Sequence, residues 1–182
     1  MLKKDLPKRN KILFIEPSLS APKETQFPNH QIPLGFLYMA GVLEKNGFEV
    51  KILDCPLYYN IKNFVDENTI KFGLSPEKIK EFILDFNPDI IGVGCSFTMF
   101  ERDSFEVIDL IKKINKNILV VVGGAHASAN PEFVLRNRNI DLSVIGEGEL
   151  TILDIAQRFQ HHKNLTNING TALIIKNKIK IN

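Results

Sequence analysis

Paired cysteines, long apolar runs and an excess of one charge are missing from this chain, and each absence closes off a class of function. Two cysteines, Cys55 and Cys95, stand 40 positions apart among 182 residues. That spacing matches no zinc, iron–sulfur or CxxC pattern, so free thiols are expected. No apolar run approaches the ~18 residues of a membrane span, and the N-terminal residues lack the apolar core of a signal peptide. A cytoplasmic protein with no membrane partner is therefore expected. Lysine and arginine total 23 against 21 aspartates and glutamates, a formal charge of +2. Such a balance gives no general attraction to nucleic acid. The one basic cluster, Lys3, Lys4, Lys8 and Arg9, reads as a solvated, disordered arm over residues 1–10.

What the chain does have is strand and helix in alternation. With 44% hydrophobic residues it can bury the core of one compact domain. Lys11-Ile-Leu-Phe-Ile-Glu16 reads as a buried strand stopped by Pro17, and Pro17 to Pro33 as a long loop without helical period. Pro33 to Asn46 reads as a helix ended by Gly47, and Phe48 to Asp54 as a second strand. Leu57 to Gly73 reads as a polar and aromatic stretch with a short helix over the sheet edge. Ser75 and Pro76 start a helix that runs to Phe86. Ile90 to Gly94 is a third strand, Glu101 to Ile114 a third helix, and Ile118 opens a fourth strand. A short helix from Pro131 to Arg136, a fifth strand from Leu142 to Ile145 and a helix from Gly148 to Gln160 follow.

This spacing specifies right-handed βαβ crossovers. The expected fold is α/β, a doubly wound flavodoxin-like (Rossmann-like) five-stranded parallel sheet over residues 11–160. Residues 161–182 are expected to form a linker and a small C-terminal β-hairpin, Thr171–Ile175 with Ile179–Ile181.

Two strand ends carry the strongest functional signal. Ile118-Leu-Val-Val-Val-Gly-Gly-Ala-His-Ala-Ser128 and Leu142-Ser-Val-Ile-Gly-Glu-Gly-Glu149 each end a buried strand in a glycine turn. Side by side in an open sheet, they make a floor for a large, flat ligand. Other ligands of this topology are excluded by the residues. Response-regulator chemistry lacks its acid pair, since Glu16 stands alone. It also lacks its phosphoacceptor, since Gly94 and Cys95 end the third strand, and its lysine, since Gly146 takes that place. A dinucleotide fingerprint fails because Gly92-Val-Gly94 and Gly146-Glu-Gly148 lie away from the first strand and lack a third glycine. The proline-broken first loop is a poor substitute for an FMN loop.

Five segments in order carry a family resemblance: Ile32-Pro33-Leu-Gly-Phe-Leu-Tyr-Met-Ala40, Leu43-Glu-Lys-Asn-Gly47, Pro88-Asp-Ile-Ile-Gly92, Val120-Val-Val-Gly-Gly-Ala-His126 and Ile145-Gly-Glu-Gly-Glu149. Preceded by the long proline-bearing loop, they resemble the N-terminal cobalamin (B12)-binding domain of B12-dependent radical SAM enzymes, over Lys11 to Lys180. The resemblance implies a cobalamin-binding domain of an enzyme of methyl transfer or carbon rearrangement, with the hairpin leading towards a radical SAM barrel in cis or in trans. Because CxxxCxxC is not found here, it places the [4Fe-4S] cluster and S-adenosylmethionine in a missing C-terminal half. This chain by itself is not expected to perform radical SAM chemistry. The DxHxxG motif of methionine-synthase-like proteins is also absent, and none of His30, His126, His161 or His162 fits it. The resemblance therefore implies cobalamin held base-off, without a protein histidine as lower ligand.

On that basis the expected cofactor-binding residues are Ser18 in the first loop and Leu34 and Gly35 at the first helix. Ser96, Phe97, Thr98 and Met99 follow the third strand, and Gly123, Gly124, His126 and Ser128 the fourth. Gly146, Glu147, Gly148 and Glu149 follow the fifth. Glycines admit close backbone approach, hydroxyls meet the corrin amides, and Leu34, Phe97 and Met99 pack on its ring. Plainer readings stand beside these. The paired glycines make a tight turn, His126 is a loop histidine bonding to backbone, and Glu147 and Glu149 favour a helix start. Cys95, Phe97 and Met99 belong to the core, and His161 and His162 end a helix. Two other functions stay open: a cofactor-free docking or substrate-selection domain, and a free-standing corrinoid carrier or sensor.

Overall fold

The computed structural model describes residues 10–26 and 31–182. The expected basic arm, Asn10 apart, and His30 lie outside the described residues. In chain order the elements are β1 (Lys11–Glu16), β2 (Leu19–Pro22), α1 (Leu34–Lys45), β3 (Glu49–Asp54), β4 (Lys62–Phe64), β5 (Thr69–Phe72), α2 (Pro76–Phe86) and β6 (Ile90–Gly94). Then come α3 (Glu101–Ile114), β7 (Leu119–Gly123), α4 (Ala125–Ala129), α5 (Pro131–Val134), β8 (Leu142–Val144), α6 (Glu149–Gln160), β9 (Thr171–Ile175) and β10 (Lys178–Ile181).

Among the described residues seven strands form the central sheet, in the order β10-β9-β8-β7-β6-β1-β3. The run from β3 to β8 is parallel, and its order is that of a flavodoxin-like fold. Each parallel strand is an apolar run whose alternate residues enter opposite cores. Leu13, Ile15, Ile91, Val93, Val120 and Val122 pack beneath Ile79 and Ile83 of α2 and Ile108 and Ile111 of α3. Ile12, Phe14, Ile90, Leu119, Val121 and Val144 face Phe36 and Leu43 of α1 and Ile152 and Ile155 of α6. Local signals set the helix boundaries. The Ser75 hydroxyl accepts the Lys78 N–H at 3.4 Å at the start of α2, with Pro76 in the first turn.

Two regions differ from expectation. The long first loop and the polar stretch before α2 meet in a second, antiparallel sheet, β2-β5-β4. The stretch from Leu57 to Gly73, where a short helix is expected, instead holds β4 and β5, after a short 3₁₀ turn at Cys55–Tyr58. Leu19 pairs with Phe72 and Ser20 with Lys71, so the pairing is non-local and leaves no periodic trace in either segment. Asp103 of α3 clamps this sheet: its carboxylate accepts the Ser20 N–H at 2.8 Å and the Ser20 hydroxyl at 2.6 Å. Lys71 closes an ion pair with it at 2.9 Å. The closing hairpin, expected as a small unit after the five-stranded sheet, extends that sheet, because β9 pairs antiparallel with β8. Among the described residues no helix is long and apolar enough to cross a membrane.

Candidate functional site

A cavity of about 350 Å³ opens at the carboxyl edge of the parallel strands, between the sheet and the α1/α6 layer. Its floor is set by β6. The alternate residues Ile90, Gly92 and Gly94 face this side, and two of the three have no side chain. The Phe14 ring lies over Gly92, where a Cβ would come within 2.6 Å of it. Phe14 in turn stacks on Phe36 at 4.9 Å. Val121, Val144 and Ile152 complete the apolar depth, and Met39 closes it from α1.

Many of the expected residues line this cavity. Leu34 and Gly35 come from the start of α1, and Ser96 and Phe97 follow β6. Gly123 and Gly124 end β7, and Gly146, Glu147, Gly148 and Glu149 form the turn into α6. Gly124 sits at φ +122, and a Cβ there would come within 2.8 Å of the Cys95 carbonyl. This turn therefore requires glycine.

Other expected residues lie outside the cavity wall. The buried Ser18 hydroxyl donates to the Leu74 carbonyl at 2.8 Å, so it braces the loop into α2. The Ser128 hydroxyl accepts the Gly146 N–H at 3.0 Å and ties the two glycine turns together. Thr98 and Met99 are displayed at the edge, Met99 with 77% of its surface exposed and Phe97 beside it with 56%. The core reading of these two large side chains is thereby corrected: the turn after β6 points them away from both cores.

His126 is buried on α4 and its bonds are to side chains, not to backbone as the plainer reading had it. The Glu101 carboxylate lies 2.6 Å from Nε2, and the Thr98 hydroxyl 3.0 Å from Nδ1. A carboxylate accepts from Nε2–H, which leaves Nδ1 to accept the Thr98 hydroxyl. Both ring nitrogens are thus engaged. Burial pushes the Cys95 thiol up to about 11 and the Cys55 thiol up to about 12, which makes both inert near neutrality.

Sequence reasoning missed Glu16, Phe14, Phe36, Met39, Gly92 and Ile152 as cavity residues. A signal for Glu16 existed, since it follows Ile12 and Phe14 on one face of β1. Burial, and after it the neighbouring Asp54, pushes its carboxyl from 4.5 to about 7. Among the described residues lining the cavity, the charged ones are Glu16, Glu147 and Glu149, and none is lysine, arginine or histidine. Among the described residues no group of three His, Cys, Asp or Glu side chains is arranged to hold a metal ion.

These features define a flavodoxin-like α/β domain whose cavity opens beside β1 and β6, where the strand order reverses. The B12 binding domain model matches residues 25–156, and the chain belongs to that family. It is 34% identical over 161 residues to a cytidylyl-2-hydroxyethylphosphonate methyltransferase of Streptomyces wedmorensis, covering 82% of this chain and 30% of that protein. The radical S-adenosylmethionine methyltransferase TsrM from Kitasatospora setae, solved with cobalamin and a [4Fe-4S] cluster bound, superposes with a TM-score of 0.73. That match has 20% identity and covers 93% of this chain and 28% of that one. The cobalamin-dependent S-adenosylmethionine radical enzyme OxsB, solved with aqua-cobalamin bound, superposes with a TM-score of 0.72 at 21% identity, over 94% and 22% of the two chains. This chain thus spans less than a third of the length of each of these relatives.

Proposed function

We propose that this chain is the cobalamin-holding part of a B12-dependent radical SAM enzyme that transfers methyl groups or rearranges carbon. The observation that carries the reading is a deep apolar cavity continuous with a glycine-lined mouth at the switch point of a B12-binding fold. The cavity lies at the small end of the ~300–1,000 Å³ of small-molecule pockets. It suits the nucleotide arm of cobalamin rather than the whole cofactor. Gly123, Gly124, Gly146 and Gly148 would hold the corrin by close backbone approach, with Ser96 and Thr98 meeting its amides and Phe97, Met99 and Leu34 its ring.

The residues present fit a base-off cofactor without a histidine ligand. His126 has both nitrogens committed to Thr98 and Glu101, and the apolar cavity gives a displaced base somewhere to go. When bound, cobalamin supplies a cobalt that can carry a methyl group. The chain's own residues bind, orient and exclude water. The [4Fe-4S] cluster and S-adenosylmethionine would belong to a radical SAM barrel outside this chain, in cis or in trans. The longer relatives, which this chain covers only in part, support that placement.

An absorbance titration with hydroxocobalamin, followed by desalting, tests the proposal. Colour that stays with the protein and shows a base-off spectrum is expected. A folded protein that retains no colour would favour a docking domain of the same fold instead.

A further inference from the structure

Glu16 differs from the other two carboxylates of the cavity. Glu147 is exposed and Glu149 opens α6, whereas Glu16 ends a central strand. Its carboxylate lies against Gly94, where even a Cβ would overlap it. The groups around it are acids and neutral thiols. Asp54 is in register with it on β3, and Cys55 follows Asp54. Cys95 follows β6, with Glu101 at the start of α3 acting on the same thiol. Glu147 and Glu149 line the same cavity, and among its described lining residues no lysine, arginine or histidine is present. A ligand filling the cavity would strip Glu16 of its remaining water and offer no cation in exchange. An ionised carboxylate in that setting carries a large desolvation penalty, and a neutral carboxylic acid avoids it and gains a donor.

We infer that Glu16 enters the complex as a neutral acid and donates a hydrogen bond to an oxygen acceptor of bound cobalamin, an amide carbonyl or the phosphate, so that binding above neutrality takes up a proton from solvent. The inference rests on the cobalamin reading above. In the free protein Glu16 titrates at about 7, so the proton is present below neutrality and must be acquired above it.

Methylcobalamin, whose upper ligand is a methyl group rather than an ionisable water, is the probe. Its affinity is measured between about pH 6 and pH 9, with proton uptake counted by calorimetry in buffers of different ionisation enthalpy. Linkage predicts binding about 100-fold weaker at the upper end than at the lower, with uptake approaching one proton there. Glu16→Gln, whose amide still donates, is expected to bind at high pH as the wild type does at low pH, with a flat profile. Asp54→Asn removes the neighbouring charge and moves the fall in affinity to lower pH. A flat wild-type profile, or a fall that survives Glu16→Gln, overturns the inference and leaves the cobalamin reading standing. No binding by the folded protein even at low pH overturns that reading and this inference with it.

Discussion

Alternate residues of the same strands build the two faces of the central sheet, yet one face is closed and the other open. Beneath α2 and α3, aliphatic side chains from β1, β6 and β7 interlock with Ile79, Ile83, Ile108 and Ile111, and the contact is continuous. Beneath α1 and α6, β6 offers Gly92 and Gly94 in place of branched side chains. Phe14 spreads over the first and Glu16 over the second, and the space left over is the cavity. One strand thus supports stability on one side and a binding site on the other. What separates them is the phase of two glycines.

The contrast can be broken from either side. Ile108, fully buried under α3, contributes to stability alone. Ile108→Ala is expected to cost about 3 kcal/mol in urea unfolding and leave methylcobalamin affinity of the folded protein unchanged. On the open face the order reverses. Gly123 has ordinary room for a side chain, the nearest atom to its Cβ being Val144 Cβ at 3.8 Å. Gly123→Leu is expected to weaken cobalamin binding about 100-fold, or ~2.7 kcal/mol, while shifting stability by less than about 0.5 kcal/mol.

Glu16→Gln sharpens the comparison through pH. The folded-state value of about 7 lies above the 4.5 of an ordinary glutamate, so the folded protein holds this proton more tightly than the unfolded chain. Stability is therefore lost as pH rises from 4.5 towards 7, and the penalty is constant above that. The variant should match the wild type near pH 4 and exceed it at pH 8 by about 2 kcal/mol, after discounting for residual exposure. Unfolding midpoints at the two pH values measure it. The smallest effect is expected at the edge. Thr98→Val leaves the Nδ1 of buried His126 without its hydroxyl partner and should cost about 1 kcal/mol of stability, with cobalamin affinity changing within about 3-fold by titration.

Segments whose signal is local were legible in the sequence. The strands Lys11–Glu16 and Ile90–Gly94 have the boundaries that their apolar runs and flanking breakers indicate, and Ser75 caps the helix it was expected to cap. The β2-β5-β4 sheet was not legible. Leu19 meets Phe72 only once the chain has closed on itself, and the clamp on Asp103 joins residues 83 positions apart. The site divides the same way. The glycine turns after β7 and β8 are announced by composition alone, and Gly124 at φ +122 and Gly146 at φ +75 take backbone conformations that favour glycine. The cavity behind them is not announced, because Phe14, Phe36, Gly92 and Ile152 come from four elements. His126 was read from its loop setting, whereas Thr98 and Glu101, 28 and 25 positions away, decide its role.

Hydrogen–deuterium exchange of the folded chain, with and without methylcobalamin at pH 6, tests the central claim that the open face is the cofactor face. Protection is expected at the edge segments that line the cavity, residues 92–97, 121–124 and 144–152, and at the start of α1. Little change is expected along α2 and the C-terminal half of α3. Protection concentrated on α2 and α3, or none despite bound cofactor, would contradict the account.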